Sequence, residues 1–218
     1  MKQTMDGPRV LVTGGPTIED IDAVRYITNR STGRMGICMA QAAARAGAHP
    51  LLVLGPTHLD PGPDIETIRV RSAAQMNTAV MEHLEHVDAL VMTAAVADYT
   101  PIAPAETKIK KQDGDLVLRL RRTQDILAAV AVHPARERLF VVGFSLDVAL
   151  DLAEGQRKLQ AKHLDCIVVN TVASFGAPGE QAVLLQANGT QELGAISKDA
   201  LGDRIMELIT THTKGRQA

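Results

Sequence analysis

The chain has 218 residues, 45% of them hydrophobic and 22% charged, which is enough to bury a substantial core in one large domain or two small ones. A formal net charge of −2 gives no basic field for nucleic acid, and no Trp, two Tyr and three Phe leave few platforms for stacking bases. No apolar run approaches the roughly 18 residues of a membrane span and the N-terminus lacks a signal-peptide core, so we expect a cytoplasmic protein with neither membrane nor nucleic acid as partner.

Val10 to Thr13 is a short apolar run ending in Gly14-Gly15-Pro16-Thr17, which reads as a first parallel strand and its turn. Between Asp22 and Gly36 lie cations, an amide, hydroxyls and two glycines, a composition that a plain linker does not need. From Gly33 to Gly47 the pattern is that of an Ala-rich helix, with Gly47 as its stop. Pro50 to Leu54 and Glu66 to Val70 read as strands, and Ser72 N-caps a helix reaching about Glu85. Asp88 to Thr93 is a further strand, opening into Ala94-Ala95-Val96-Ala97-Asp98-Tyr99.

Lys108-Ile109-Lys110-Lys111 and Leu116 to Arg121 flank Asp113-Gly114-Asp115, and their alternation predicts a β-hairpin with Lys108 and Lys110 on one face. A helix over Asp125 to Val132, a buried strand over Leu139 to Gly143 and a helix over Ala149 to Lys162 follow. Asp165 to Val169 is a strand, Val183 to Gln186 a candidate strand, and Lys198 to Thr211 an amphipathic helix. Alternating strands and helices with no linker or repeat predict one domain over residues 1–218. Its fold is α/β and Rossmann-like, a doubly wound, mainly parallel sheet with a hairpin or flap excursion. Ligands on such sheets lie beyond the carboxyl ends of the strands, here the loops after Thr13, Thr93 and Gly143.

Several groups in these loops suit an anionic substrate. Ser31-Thr32-Gly33 before a helix offers unpaired amides, and Gly33 permits close approach to the backbone, although plain N-capping explains the same residues. Asn29 reads a carboxylate or acyl oxygen without carrying charge. Lys158 and Lys162 are four apart on one helix face, and these with Lys108 and Asp98 suit a triphosphate with Mg²⁺. In isolation each lysine reads better as a solvated surface charge. Cys38 and Cys166 belong to no CxxC or CxxH pair and read as buried thiols, and the seven histidines show no metal spacing.

Taken together, these motifs resemble bacterial phosphopantothenoylcysteine synthetase, a ligase often fused behind a flavin-dependent decarboxylase. The resemblance runs from about Val10 to about Leu208. It rests on Thr17-x-Glu19, Ile21-Asp22-x-Val24-Arg25, Ile27-x-Asn29-x-Ser31-x-Gly33-x-Met35-Gly36, Gly55-Pro56, Ala94 to Tyr99, Lys108 to Lys111, Val142-Gly143-Phe144, and Lys158 with Lys162. It implies that 4′-phosphopantothenate is activated by CTP as an acyl-cytidylate, with release of pyrophosphate. Cysteine then displaces CMP to form the amide. It further implies Mg²⁺ with CTP, no flavin, a homodimer, and a decarboxylase as a separate partner protein. By the same resemblance Asn29 and Lys108 are catalytic, the latter on a flap, and Arg25, Asn29, Ser31 and Gly33 bind substrate; if a partner subunit completes each site, Arg25 is the candidate for that role. Met92, Thr93, Ala94, Asp98, Thr123, Gln124, Asp125, Ile126, Phe144, Lys158 and Lys162 line the nucleotide site, and Asp98 also meets the metal. Gln124 stands where the family commonly has proline, and Asp147-Val148 where it has an acid and a hydroxyl. A short-chain NAD(P)-dependent oxidoreductase is the alternative suggested by Thr13-Gly14-Gly15. It needs Tyr-x-x-x-Lys, whereas Tyr26 is followed by Arg30 and Tyr99 by Ala103. A non-catalytic nucleotide-binding relative is a third reading.

Overall fold

The computed structural model describes residues 7–111, 113–171, 173 and 179–217. The chain runs through β1 (Arg9–Gly14), β2 (Glu19–Asp20), β3 (Tyr26–Ile27), α1 (Arg34–Arg45), β4 (His49–Leu54), β5 (Glu66–Arg69), α2 (Ala73–His83) and β6 (Ala89–Met92). It continues through β7 (Tyr99–Pro101), β8 (Leu120–Arg122), α3 (Ile126–Ala131), β9 (Phe140–Asp147), α4 (Leu152–Ala161), β10 (Cys166–Thr171), β11 (Gly179–Gln186), β12 (Gly189–Ser197) and α5 (Lys198–Gln217).

Eight strands form one sheet in the order β12-β11-β10-β9-β6-β1-β4-β5, with the run from β10 to β5 parallel and β11 and β12 antiparallel at one edge. The side chains of the central strands alternate between two covered faces. Val10, Val12, Leu52, Val91, Val142 and Val168 pack with Ile37 and Met39 of α1 and Leu201 and Ile205 of α5. Leu11, Val53, Leu90, Val141 and Ile167 face Met76 and Val80 of α2, Val130 of α3 and Leu159 of α4. This is the doubly wound α/β sheet expected. Cys38 and Cys166 are buried free thiols, and burial pushes the Cys166 thiol up to about 12. Among the described residues, no helix is long and apolar enough to cross a membrane.

The chain order places a switch point beside β1. From β1 the chain steps outward to β4 and β5, and the crossover through α2 then returns it to β6 on the other side. The carboxyl ends of β1 and β6 therefore open a crevice.

The expected hairpin around Asp113-Gly114-Asp115 does not form. Tyr99–Pro101 pairs instead with Leu120–Arg122, and Ile102 N donates to Arg119 O at 3.0 Å, leaving residues 103–118 as a long loop. Gln112, within the expected hairpin, lies outside the described residues. A two-stranded ribbon is marginal without a sheet or helix against its apolar face. Here Leu116 and Val117 are exposed, so their alternation has nothing to pack on. Lys108 and Lys110 accordingly sit on a loop rather than on a strand face. In contrast, β12 is an edge strand that the hydropathy pattern does not announce.

Candidate functional site

The crevice is held by interlocking backbone. Gly14 O accepts from Gly55 N at 2.9 Å and Gly15 O from Ala95 N at 3.0 Å, while Ala95 O accepts from Thr17 N at 3.3 Å. Side chains lock the same turn. Thr93 Oγ1 donates to Thr13 O at 2.6 Å, Thr13 Oγ1 accepts from Ala94 N at 3.2 Å, and Thr17 Oγ1 accepts from Ala97 N at 2.9 Å. Met92 is buried at the end of β6 and accepts from Thr13 Oγ1 through its sulfur at 3.5 Å. Gly15 has a φ of 82°, which favours glycine. A Cβ on Gly36 would lie 2.5 Å from Gly14 Cα, so the start of α1 presses directly on the end of β1.

Asn29 lies on this junction. Its Nδ2 donates to Ala95 O, tying the loop after β3 to the loop after β6, and its Oδ1 accepts from Ser31 N at 3.1 Å. Ser31 Oγ and Thr32 Oγ1 accept from Gly33 N and Arg34 N, both at 3.4 Å. Gly33, with φ 80°, is the N-cap of α1 and supplies no side-chain cap to the helix start. The open space beside Asn29 is a cleft of about 700 Å³, shared by Ser31, Thr32, Thr28, Thr57, His58 and Arg69 among others. The last four were not singled out from sequence. Arg69 ends β5, and the rule that ligands gather at the carboxyl ends of strands is the signal that points to it.

A second group gathers at the carboxyl end of β9. Thr123 donates through Oγ1 to Ala97 O at 2.6 Å and through N to Asp98 O at 2.9 Å, which attaches this segment to the loop after β6. Gln124 Oε1 accepts from Asn77 Nδ2 of α2 at 3.1 Å. Asp125 N-caps α3 by accepting from Ala128 N at 2.9 Å, and its other oxygen pairs with Lys162 Nζ. Burial works to raise the Asp125 carboxyl, but the Lys162 and Ala128 bonds outweigh it, leaving a net downward shift. Ile126 is buried beneath the turn. Lys158 Nζ donates to Ser145 Oγ at 3.1 Å and lies 3.6 Å from Glu154 Oε1. Chiefly the Arg157 bond, with help from Lys158, holds Glu154 at about 2. Phe144, half-buried on β9, packs against the core from the same strand.

Lys108 lies apart from Lys158 and Lys162. With Arg25, Lys110 and Lys111 it surrounds a hollow of about 610 Å³ that also meets Asp113 and Asp115. Arg25 is held by Asp22, accepting through Oδ2 from Nη2 at 2.6 Å and from Nε at 3.0 Å. The guanidinium keeps the enclosed Asp22 carboxyl well below the usual carboxylate range. Asp98 is exposed, and among the described residues no group of three or more His, Cys, Asp or Glu gathers that could hold a metal. Asn29, Ser31, Gly33, Thr93 and Ala94 thus come together at the crevice. Thr123 to Ile126, Lys158 and Lys162 come together on the face of β9 that α3 and α4 cover, Phe144 lies on the opposite face against the core of α1 and α5, and Arg25 with Lys108 forms a third group.

Residues 5–212 match the family described as the DNA/pantothenate metabolism flavoprotein C-terminal domain. The chain is 39% identical over 216 residues to the Bacillus subtilis coenzyme A biosynthesis bifunctional protein CoaBC, spanning 96% of this chain and 53% of that protein. It is 44% identical over 177 residues to a cysteine/cysteine sulfinic acid decarboxylase of an unknown prokaryotic organism, spanning 81% of this chain and 49% of that protein. It therefore spans about half the length of the curated relatives it matches. The crystal structure of the C-terminal domain of a CoaBC protein superimposes with a TM-score of 0.82 at 32% identity, covering 97% of this chain and 98% of that one.

Proposed function

Because the chain belongs to the DNA/pantothenate metabolism flavoprotein C-terminal domain family, we propose that it is a ligase of coenzyme A biosynthesis, joining 4′-phosphopantothenate to cysteine with CTP as the activating nucleotide. The placement of Asn29 carries the reading furthest. An uncharged amide is fixed at the switch-point crevice by Ala95 O and Ser31 N, beside a cleft large enough for an extended acid.

In the first step the substrate carboxylate attacks the α-phosphorus of CTP. A C–O–P linkage forms, the bond to the β-phosphate breaks, and pyrophosphate leaves with the electron pair. Lys108 neutralises the phosphates from the loop, and Lys158 and Lys162 do so from α4. In the second step the cysteine amine attacks the acyl carbon, the amide C–N bond forms, the acyl C–O bond to the phosphate breaks with its electron pair leaving on CMP, and the amine's proton passes to solvent. Asn29 orients the acyl oxygen during that displacement, and Ser31, Gly33 and Arg25 bind the rest of the acid. Thr123 to Ile126, Phe144, Asp98 and the segment Met92 to Ala94 line the nucleotide pocket. Asp98, on the loop after β6, would be the protein's contact to a Mg²⁺ that arrives with the triphosphate. When bound, that ion supplies charge neutralisation at the triphosphate.

We further propose a homodimer. Val24, Tyr26, Tyr99, Ile102, Val117 and Leu120 are exposed apolar groups on or next to β3, β7, β8 and the long loop, a concentration that an isolated subunit would leave in water. The decarboxylase expected from the resemblance is proposed as a partner, whether on the same polypeptide or another.

The test is pyrophosphate release by purified protein with Mg²⁺, 4′-phosphopantothenate and each nucleoside triphosphate, with and without cysteine. Release selective for CTP, with CMP and the cysteine amide formed only when cysteine is present, is the expected result. No release from folded protein with any nucleotide would reject the reading.

A further inference from the structure

The Asp22 carboxylate accepts from five donors. Oδ1 takes Val24 N at 2.9 Å and Arg25 N at 2.7 Å. Oδ2 takes Arg25 Nε at 3.0 Å, Arg25 Nη2 at 2.6 Å and, from 87 residues away, Ile109 N at 3.0 Å. Four of these bonds are local and would suffice to shape the turn. The fifth reaches the residue next to Lys108. Arg25 Nη2 reinforces it by donating to Ile109 O at 3.2 Å.

Few other restraints act on this part of the chain. Among the described residues, the remaining hydrogen bond from residues 103–118 to the rest of the chain runs from Ala105 N to Ile21 O, at 2.9 Å. Residues 106–108, 110 and 111 are exposed, while Ile109 is half-buried at the contact. One carboxylate with its arginine thus holds the position of a loop that is otherwise solvated. An ionised acceptor makes the stronger kind of hydrogen bond, and Asp22, fully enclosed, meets no competing water.

We propose that Asp22 is a positioning residue that latches the lysine-bearing loop to the Arg25 turn, so that Lys108 is presented to the phosphates from a loop fixed against the substrate-binding Arg25. The latch itself rests on geometry, and its catalytic consequence rests on the ligase reading above. Asp22→Asn keeps an oxygen for the Val24 and Arg25 amides but sets an NH₂ against the Ile109 and Arg25 donors. Ile109→Pro removes the same long-range donor while leaving Asp22 intact.

Two measurements on the full chain test this. In hydrogen–deuterium exchange, residues 105–111 of Asp22→Asn should exchange roughly tenfold faster while the sheet strands keep their protection, and Ile109→Pro should do the same for the neighbouring amides. Unchanged exchange in this segment in both variants would overturn the latch; if Asp22→Asn fails to fold, the Ile109→Pro result decides alone. In the second, Asp22→Asn should lower kcat/KM for CTP roughly tenfold in the wild-type background but less than about threefold in a Lys108→Ala background. Equal losses in both backgrounds would show that Asp22 does not act through Lys108 and would overturn the positioning role. Faster exchange in a protein that turns over no nucleotide would leave the latch standing and sink the ligase reading instead.

Discussion

The switch-point crevice and the lysine-bearing loop are built in opposite ways. In the crevice, backbone meets backbone: Gly14, Gly15, Thr17 and Ala95 bond directly across three loops, and Gly36 touches Gly14 with no room for a methyl group. Apart from Ala105 and Ile109, which tie it down, the described residues of the loop over 103–118 are exposed, and the loop is closed at a neck between Ile102 and Arg119. Rigid backbone suits a group that must sit at one place relative to a reacting carbon. A tethered loop suits a cation that must admit a triphosphate and then close on it. Under the proposed ligase reading Asn29 serves bond geometry and Lys108 phosphate charge, and these roles separate experimentally.

The largest expected effect is at Asn29. Asn29→Ala should cost between about 10²- and 10³-fold in kcat for amide formation, with pyrophosphate release less affected, because one preorganised donor is lost at the reacting acyl group. Quenched-flow measurement of the two half-reactions checks this, and equal losses in both would place Asn29 in general binding. Lys108→Ala should cost roughly 10- to 100-fold, concentrated in the nucleotide-dependent half-reaction, and should leave Tm unchanged because the side chain is exposed. Stability should show the reverse pattern. Gly36→Ala drives a Cβ to 2.5 Å from Gly14 Cα and 2.9 Å from Thr13 O, both rigid, and should cost about 2–3 kcal/mol in denaturant unfolding. Gly114→Ala, in the loop, meets nothing within 4 Å and is strained only by its φ of 95°, so about 1 kcal/mol is expected. Equal losses at the two glycines would erase the distinction between rigid crevice and tethered loop.

The crevice was legible in the sequence and the loop was not, for a physical reason. Strands covered on both faces show as apolar runs, so Val10 to Thr13, Pro50 to Leu54 and Asp88 to Thr93 locate β1, β4 and β6, and the loop after each follows. The run at Leu139 to Gly143 finds β9 but stops early, since Phe144 to Asp147 mixes polar residues where the strand leaves the core. β12 carries mostly exposed residues and leaves no hydropathy trace. Leu116 to Arg121 alternates as a strand does, but alternation reports only a preference for a half-buried surface. None of the described residues covers that surface, and Val117 is 80% exposed. Asp22 shows no role of its own within its motif, because the bond that gives it one spans 87 residues. Lys162 was identified as a nucleotide-site cation, yet its pairing with Asp125 could emerge only once α4 and the turn before α3 were folded together.

The smallest effect concerns the border between the two regions, where Gln124 stands in place of the proline common in the resembled family. Proline would fix the backbone there by its ring, whereas this chain uses a side-chain tie, Asn77 Nδ2 to Gln124 Oε1 at 3.1 Å. The tie is imperfect, because Asn77 Oδ1 is buried without a hydrogen-bond partner among the described residues. Asn77→Ala therefore loses one neutral hydrogen bond and also relieves one orphaned acceptor, two terms of opposite sign and about 1 kcal/mol each. Stability should stay within about 1 kcal/mol of wild type, while KM for CTP rises roughly two- to threefold as the Thr123 to Ile126 turn loosens. Gln124→Ala should give the same KM change, and the double variant should add nothing, since both substitutions break one bond. A change in kcat with constant KM would instead mean that the turn acts on the reacting atoms, and the border would then belong with the rigid crevice.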